Sequence, residues 1–521
     1  MSTTICLPTS GASYSVECKE QHCNGHDLPN HPDYRLLSLV EHNMVFSSIV
    51  FLFYFLPLFF VSFYMTGANK TVLLVFSLVF YAWGEPVFLP LVVMSIVANH
   101  WLGIRIERAH ADSNARIWMI IGVVANLAPL VFFKYGVFLV HGLLDLFSPV
   151  LLKVFGIAAN TIKPKDISLP LGISFYTFHA LSYLIDVYRK HVTAERSLRD
   201  LAVYILMFPQ LIAGPIIRYK TIAGELHEPV LTVERTARGI VLFVAGLGQK
   251  VLIANTVAVS ADAIFALPPD QLSTQLAWLG IVCYTIQIFF DFGGYSLMAL
   301  GLGLMLGFTY PVNFNYPYVA QSMTDFWRRW HISLSAWFRD YLYVPLGGNR
   351  VSAKQTYINL WIVFLLCGLW HGAAWNFIFW GAAHGSLLVL ERTSFVKLLE
   401  RLPAIVRHAY VLLAVMLTWV LFRSDTMAAG LKYIGAMFGL GPKALAAPPM
   451  QLFLGVDVII ALGAGVLGAG PFGKRLLLWI GGFIRIGHLS LAQPVAIFIV
   501  LSLTALSLAG GAYNPFIYFR F

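Results

Sequence analysis

MVFSSIVFLFYFLPLFFVSFYM, residues 44–65, carries no charged side chain. At about 1.5 Å of rise per residue a helix of this length crosses the ~30 Å hydrocarbon core of a bilayer. Comparable apolar runs follow at 71–103, with a Gly84-Glu85-Pro86 break, and at 117–133, 136–158, 168–187, 200–215, 239–265 and 276–309. Others lie at 357–391, 408–422, 451–469, 476–484 and 494–513. None shows the strict alternation of a barrel strand, and lipid admits only helices or closed barrels because backbone polar groups find no water there. The fold class is therefore all-α, a polytopic integral membrane protein. Counting longer runs as pairs predicts about 11–13 membrane helices.

Composition agrees. Of 521 residues, 58% are apolar and 12% charged, with a mean hydropathy of +0.74. Soluble domains carry roughly 25% charge, so a soluble domain, a disordered chain and a disulfide scaffold are excluded together. The net charge of +10 comes from short basic clusters between apolar runs, such as Arg105 with Arg108, Arg189 with Lys190, Arg328 with Arg329 and Lys474 with Arg475. This is how a multi-span protein marks its cytoplasmic loops, not a nucleic-acid-binding surface. Cys283 and Cys367 sit in apolar runs as small hydrophobes. Cys18, His22, Cys23 and His26 match no zinc spacing, so no metal is expected. Residues 1–43 are polar and have no apolar signal core, so they read as a tail or as lying ahead of a true start at Met44. The second is the expectation, and N-terminal sequencing tests it.

Polar groups at membrane depth are costly, which makes each a candidate for function. Asp262, Asp457 and Lys250 read as structural pairings between helices. His371 is the fifteenth of the 24 residues from Tyr357 to Trp380, so a straight helix puts it within about 4 Å of the segment's middle. Trp370 and Gly372 flank it, and glycine lets a backbone or substrate approach closely. A neutral imidazole there can take a proton from a hydroxyl and return it to a leaving group; the bland alternative is a packing histidine. Cys367, one turn earlier, is a weaker candidate for covalent acyl transfer because no second group orients it.

FWRRWHISLSAWFRDYLY, residues 326–343, places Trp327, Trp330, Leu334, Trp337, Phe338 and Tyr341 at helical spacing. It reads as one amphipathic helix, interfacial or re-entrant, with His331 bordering its apolar face. Its aromatics and arginines serve either as interfacial anchors or, with His331, as a site in which Arg328 and Arg329 meet a donor's phosphates. Asp291 interrupts an aromatic run before Gly293-Gly294 and either braces a broken helix or binds substrate. FPQLIAGPIIRY at 208–219 marks irregular backbone, tolerable at depth only under protein cover. GLGLMLG at 301–307 reads as helix packing.

Taken together, GLWHG at 368–372, FWRRWHISLSAWFRDYLYVPLGGNR at 326–350, FYAWGEP at 80–86, LPLGISFYTFHALSYLIDVYR at 169–189, FPQLIAGPIIRY and FDFGGYSLMALGLGLMLGF at 290–308 resemble the membrane-bound O-acyltransferase family. Within it the resemblance is to the bacterial alginate O-acetylase branch, over residues 44–392, with 393–521 as further membrane helices. Leu297 departs from the acidic residue expected in that branch after Gly-Tyr-Ser. The resemblance implies His371 and His331 as catalytic; on the residue pattern, Trp370, Gly372, Arg328, Arg329, Asp291 and Trp330 are the expected substrate-binding residues. It implies a central funnel through the bacterial inner membrane and no bound cofactor. The implied donor is acetyl-CoA or an acyl carrier, and the implied partners are the periplasmic acetyl-transfer proteins of a polysaccharide export system. The alternatives are D-alanyl transfer to a cell-wall polymer and a transporter of an acyl carrier or anionic solute. Broken helices suit a transporter, but no internal repeat is evident.

Overall fold

A computed structural model describes residues 45–111, 114–155, 168–442, 446–471, 489–511 and 513–517. The tail with its cysteines and histidines, Lys474, Arg475 and the run at 476–484 lie outside the described residues. Every regular element among those described is helical. Five helices are long and apolar enough to cross a membrane: α3 (Pro86–Arg108), α4 (Ala115–Leu144), α7 (Val233–Phe265), α8 (Thr274–Met305) and α13 (Ala404–Arg423). Shorter apolar helices are α1 (Phe51–Met65), α2 (Lys70–Gly84), α12 (Trp375–Leu390), α14 (Val456–Gly468) and α15 (Pro494–Ala509). Between them lie α5 (Ile173–Tyr188), α6 (Leu198–Leu206), the short α9 (Met323–Arg329) and α10 (Ile332–Phe338), and α11 (Ala353–His371).

The boundaries follow local chemistry. Ser273 and Ser352 accept backbone N–H bonds at the starts of α8 and α11, and Pro86 and Pro90 occupy the first turns of α3. The expected break at 84–86 is present between α2 and α3. Two expectations are corrected. The run at 276–309, long enough for two spans, is the single helix α8, and Gly293 and Gly294 leave it unbroken. The run at 117–133 and the described part of the run at 136–158, to Phe155, form one continuous helix through a π turn at Val131–Tyr135, which absorbs Pro129 without a break.

α8 is the central post, with 83% of its most apolar stretch buried, against 17% for the peripheral α4. It packs along α7 with backbones almost touching. A Cβ on Gly294 would lie 2.6 Å from the Gly246 carbonyl oxygen, and one on Gly301 would lie 2.5 Å from that of Gly239. Small residues let van der Waals packing replace the missing hydrophobic drive inside lipid. α11 and α12 form an equally tight hairpin, since a Cβ on Gly381 would meet the Phe364 carbonyl oxygen at 2.2 Å.

One end of the assembly is basic. α3 ends on Arg105 and Arg108, and α5 runs into Arg189 and Lys190. Arg196 pairs with Glu107 and Arg218 with Asp340, and Arg189 donates to the Asp340 carbonyl at 3.0 Å. α11 starts at this end, where Arg392 reaches Asn349 at 2.9 Å, and climbs to His371. The turn after His371, the end of α13 and the start of α8 therefore share the opposite face.

Candidate active site

Sequence spacing places His371 inside a straight segment; in the structure it is the last residue of α11. Gly372 is extended (φ −167°), and a Cβ there would lie 2.2 Å from the Phe377 ring. The glycine admits that ring, and with it the sharp turn into α12, rather than a substrate. A π turn supplies the cap: Tyr135 Oη donates to the Leu369 carbonyl at 2.6 Å, and Lys134 Nζ donates to the Trp370 carbonyl and to Ser174 Oγ at 3.3 Å. Unpaired carbonyls and the negative end of the helix dipole favour a cation at this point.

The amphipathic segment is likewise not one helix. α9 and α10 meet at His331, which adopts a left-handed backbone (φ 44°, ψ 54°), a conformation costing of order 1–3 kcal/mol for a residue with a Cβ and concentrated at functional sites. Pairing with residues 313–315 holds the break, through Ile332 N–H to the Asn313 carbonyl at 2.9 Å and Asn315 N–H to the Arg329 carbonyl at 3.0 Å. His331 is 1% exposed. Its Nδ1 lies 3.0 Å from Asn313 Oδ1, which also accepts from Ser333 N–H (3.2 Å) and Ser333 Oγ (2.8 Å). A backbone N–H can only donate, so that atom is oxygen and His331 carries its proton on Nδ1. Nε2 is thereby left as a lone-pair base, buried and without a hydrogen-bond partner.

Both histidines converge on Trp370. Its ring centroid is 4.8 Å from that of His371 and 6.1 Å from that of His331. Trp380 and Phe422 stand edge-on to His371 at 5.1 Å each, and Phe292 meets His331 at 4.7 Å. Trp330, Phe292, Phe422 and Ile517 enclose a space of about 10 Å³ against His371, room for one water at most. The space beside His371 is thus narrow and walled by aromatic side chains, an aromatic cage.

The other predicted residues divide. Trp330 lines the cage. Arg328 is exposed, and Arg329 pairs with Asp325 at 2.9 Å at the end of α9. Asp291 does not face the cage: it pairs with Lys250 at 2.7 Å, both almost fully buried, and accepts the Ile517 N–H at 2.9 Å. Its role is bracing, though of the C-terminal segment and not of a broken helix. Asp262 pairs with Arg423 at 2.6 Å, as a structural carboxylate would. Cys367 is buried and forms no disulfide among the described residues. The irregular backbone at 212–217 is wholly buried, and Ser333 Oγ accepts its Ile216 N–H at 2.9 Å.

Sequence reading missed Asn313, Lys134 and His384. His384 is fully buried, and its Nδ1 accepts from Trp327 Nε1 at 3.2 Å. Lys134 was open to detection as a lone cation in an apolar run. Asn313 gave no local signal, because only the tertiary pairing brings it to His331.

Residues 154–422 match the membrane-bound O-acyltransferase family. The chain belongs to that family. It is 40% identical over 508 residues to “Probable alginate O-acetylase” of Azotobacter vinelandii, covering 92% of this chain and all of the relative. It is 46% identical over 401 residues to the protein of the same name in Pseudomonas aeruginosa, with 76% and 75% covered. It is 35% identical over 439 residues to the peptidoglycan O-acetyltransferase of Helicobacter pylori, with 77% and 81% covered. The protein is accordingly a multi-pass membrane O-acyltransferase, which sets the transporter reading aside.

Proposed function

We propose that this acyltransferase moves an acetyl group from a cytoplasmic thioester, acetyl-CoA, to a hydroxyl on the far side of the inner membrane, for O-acetylation of an exported polysaccharide such as alginate. The observation that carries this reading is the convergence of His371 and His331 on Trp370, in a cage between a basic face and an opposite, cavity-bearing face. The basic face lies in the cytoplasm by the positive-inside rule, where Arg328 and its neighbours attract the donor's phosphates. His331 Nε2 accepts a hydrogen bond from the acceptor hydroxyl and orients it. His371 removes the hydroxyl proton as the oxygen attacks the thioester carbon. The tetrahedral intermediate collapses with cleavage of the C–S bond, and the leaving thiolate takes the proton back from His371. Ester and thiol are the products, and no redox partner or metal is needed for the balance. Periplasmic acetyl-transfer proteins would then use or pass on the group.

The names of the relatives support acyl transfer to a glycan, and the full-length likeness supports the acetylase branch over D-alanyl transfer. Purified protein given radiolabelled acetyl-CoA or a D-alanyl carrier decides the donor. Acetyl ester formation is expected, and His371→Ala at normal abundance loses about 10²–10⁴-fold of it, the usual contribution of a positioned acid–base group. Exclusive use of the D-alanyl carrier would overturn the acetyl assignment.

A further inference from the structure

Two lysines lie inside the long membrane-crossing helices, Lys134 in α4 and Lys250 in α7, and the structure treats them differently. Lys250 faces Asp291 at 2.7 Å, which balances its charge. The partners of Lys134 among the described residues are all neutral: the Trp370 carbonyl, Ser174 Oγ at 3.3 Å and the face of the Trp370 ring, with Nζ 5.8 Å from its centroid. An ionised side chain at membrane depth is costly, and one that served helix pairing alone would gain from a counter-charge, as Lys250 does.

What Lys134 holds is the approach to His371. α11 ends there, and the extended Gly372 carries the following N–H groups away from the last carbonyls of the helix. Consecutive residues of the α4 π turn replace them, Tyr135 on the Leu369 carbonyl at 2.6 Å and Lys134 on that of Trp370. The Trp370 carbonyl belongs to the planar peptide that enters His371, so Lys134 sets the plane from which the imidazole projects. The same ammonium lies over the Trp370 indole, which is also stacked on Phe178 at 5.5 Å and met edge-on by Phe175 at 5.6 Å. That indole is the ring against which His371 and His331 both stand. One cation therefore fixes both the backbone and the ring of the site.

We propose that Lys134 is a positioning residue for acyl transfer: held on the Trp370 carbonyl and indole, it sets His371 against Trp370 and supplies a fixed positive charge beside the reacting centre. The assignment rests on the role proposed above for His371 and adds the group that prepares it. Transfer places negative charge on the carbonyl oxygen of the tetrahedral intermediate and then on the leaving sulfur. A preorganised cation in a low-dielectric site stabilises both more than it does the neutral thioester. Lys134 touches neither reactant and takes up no proton in this scheme. Its charge is felt in the transition state and not in donor binding, which fixes the kinetic signature: kcat falls and donor KM does not.

Purified full-length protein is given acetyl-CoA and, separately, a D-alanyl carrier thioester, with an alginate oligomer as acceptor, and thiol release per folded protein is followed on the donor that the wild type uses. Lys134→Met, neutral and of similar size, is expected to lower kcat by about tenfold to a hundredfold, the range for losing a charge-assisted hydrogen bond or misplacing a catalytic group. Donor KM should stay within about twofold. Should Lys134→Met not fold, Lys134→Gln, neutral yet still able to donate to the carbonyl, carries the same expectation. Lys134→Arg keeps the charge and should turn over several-fold faster than the neutral variant. Tyr135→Phe frees the neighbouring carbonyl and leaves the charge in place, so its loss of kcat should be smaller by about fivefold or more. A wild-type kcat in the neutral variant overturns the proposal, as does an equal loss in Lys134→Arg or in Tyr135→Phe. His371→Ala, measured alongside, separates the two readings. If it keeps the wild-type rate, the role of His371 falls and that of Lys134 with it; an inactive His371→Ala beside a fully active neutral variant rejects Lys134 alone. Turnover on the D-alanyl carrier only would reject acetyl-CoA and leave the comparison of variants decisive.

Discussion

His331 shows how a single residue is prepared for chemistry. Its backbone strain, its burial and the Asn313 oxygen that fixes its proton on Nδ1 all leave Nε2 bare inside an aromatic cage. Asn313→Leu, which removes that acceptor and leaves the Ser333 N–H unsatisfied, should lower kcat by about tenfold or more, with little change in donor KM. Asn313→Asp should restore part of it, since a carboxylate still accepts from Nδ1; equal loss in both variants would assign Asn313 to folding alone. At Gly372 the demand is steric. Gly372→Val must displace the Phe377 ring, and a cost of about 1–3 kcal/mol should appear as a lower thermal unfolding midpoint of the purified protein. His371, Trp370 and Trp330 were legible because aromatic and histidine residues inside an apolar run are chemically conspicuous, whereas Gly372 serves the turn into α12. Asp291 was legible as a bracing carboxylate, but what it braces was not, because its partners Lys250 and Ile517 are distant in sequence.

At the scale of elements, local pattern located the helices and tertiary contact located their breaks. The tryptophans and leucines of 326–343 keep helical spacing across His331, so periodicity alone reads one helix; the break comes from pairing with 313–315, which no local window contains. The end of α11 was more accessible, since glycine after the last periodic residue is a stop signal. π turns carry Lys134, Lys250 and Asp340 into their positions, and such turns have no sequence signature of comparable strength. Helix contacts follow the glycines. Gly294→Leu should separate α7 from α8 and lower the unfolding midpoint, while a leucine at Gly142, where nothing lies within 4 Å, should not. The basic face offers a pH prediction. Burial alone would raise the Asp340 carboxyl, but Arg339, with Arg218 and Lys220 nearby, holds it below the usual aspartate range. Its contribution is complete above about pH 4 and is lost only as pH falls through the lower folded value, so the stability difference between wild type and Asp340→Asn should be flat from neutrality down to about pH 4.5.

For the whole molecule, the apolar composition describes a container and the function resides in the few polar groups that helix packing gathers at its centre. Lys250 and Asp291 join the core to the C-terminal segment. Removing one partner of a buried pair is far worse than removing both, so Lys250→Met should cost about 3–5 kcal/mol, much of it recovered in Lys250→Met with Asp291→Leu. The fold class and family were legible because lipid permits so few architectures. The narrow aromatic cage beside His371 was not, because it depends on Phe422 and Ile517 arriving from helices and segments far along the chain. One measurement bears most directly on transfer at His371 between the two faces. Proteoliposomes receive labelled acetyl-CoA only on the side exposing the basic face, with a hydroxyl acceptor enclosed on the other. Wild-type protein should deposit acetyl ester on the acceptor side and His371→Ala should deposit about a hundredth or less. Ester formation by His371→Ala at the wild-type rate and abundance would contradict the account.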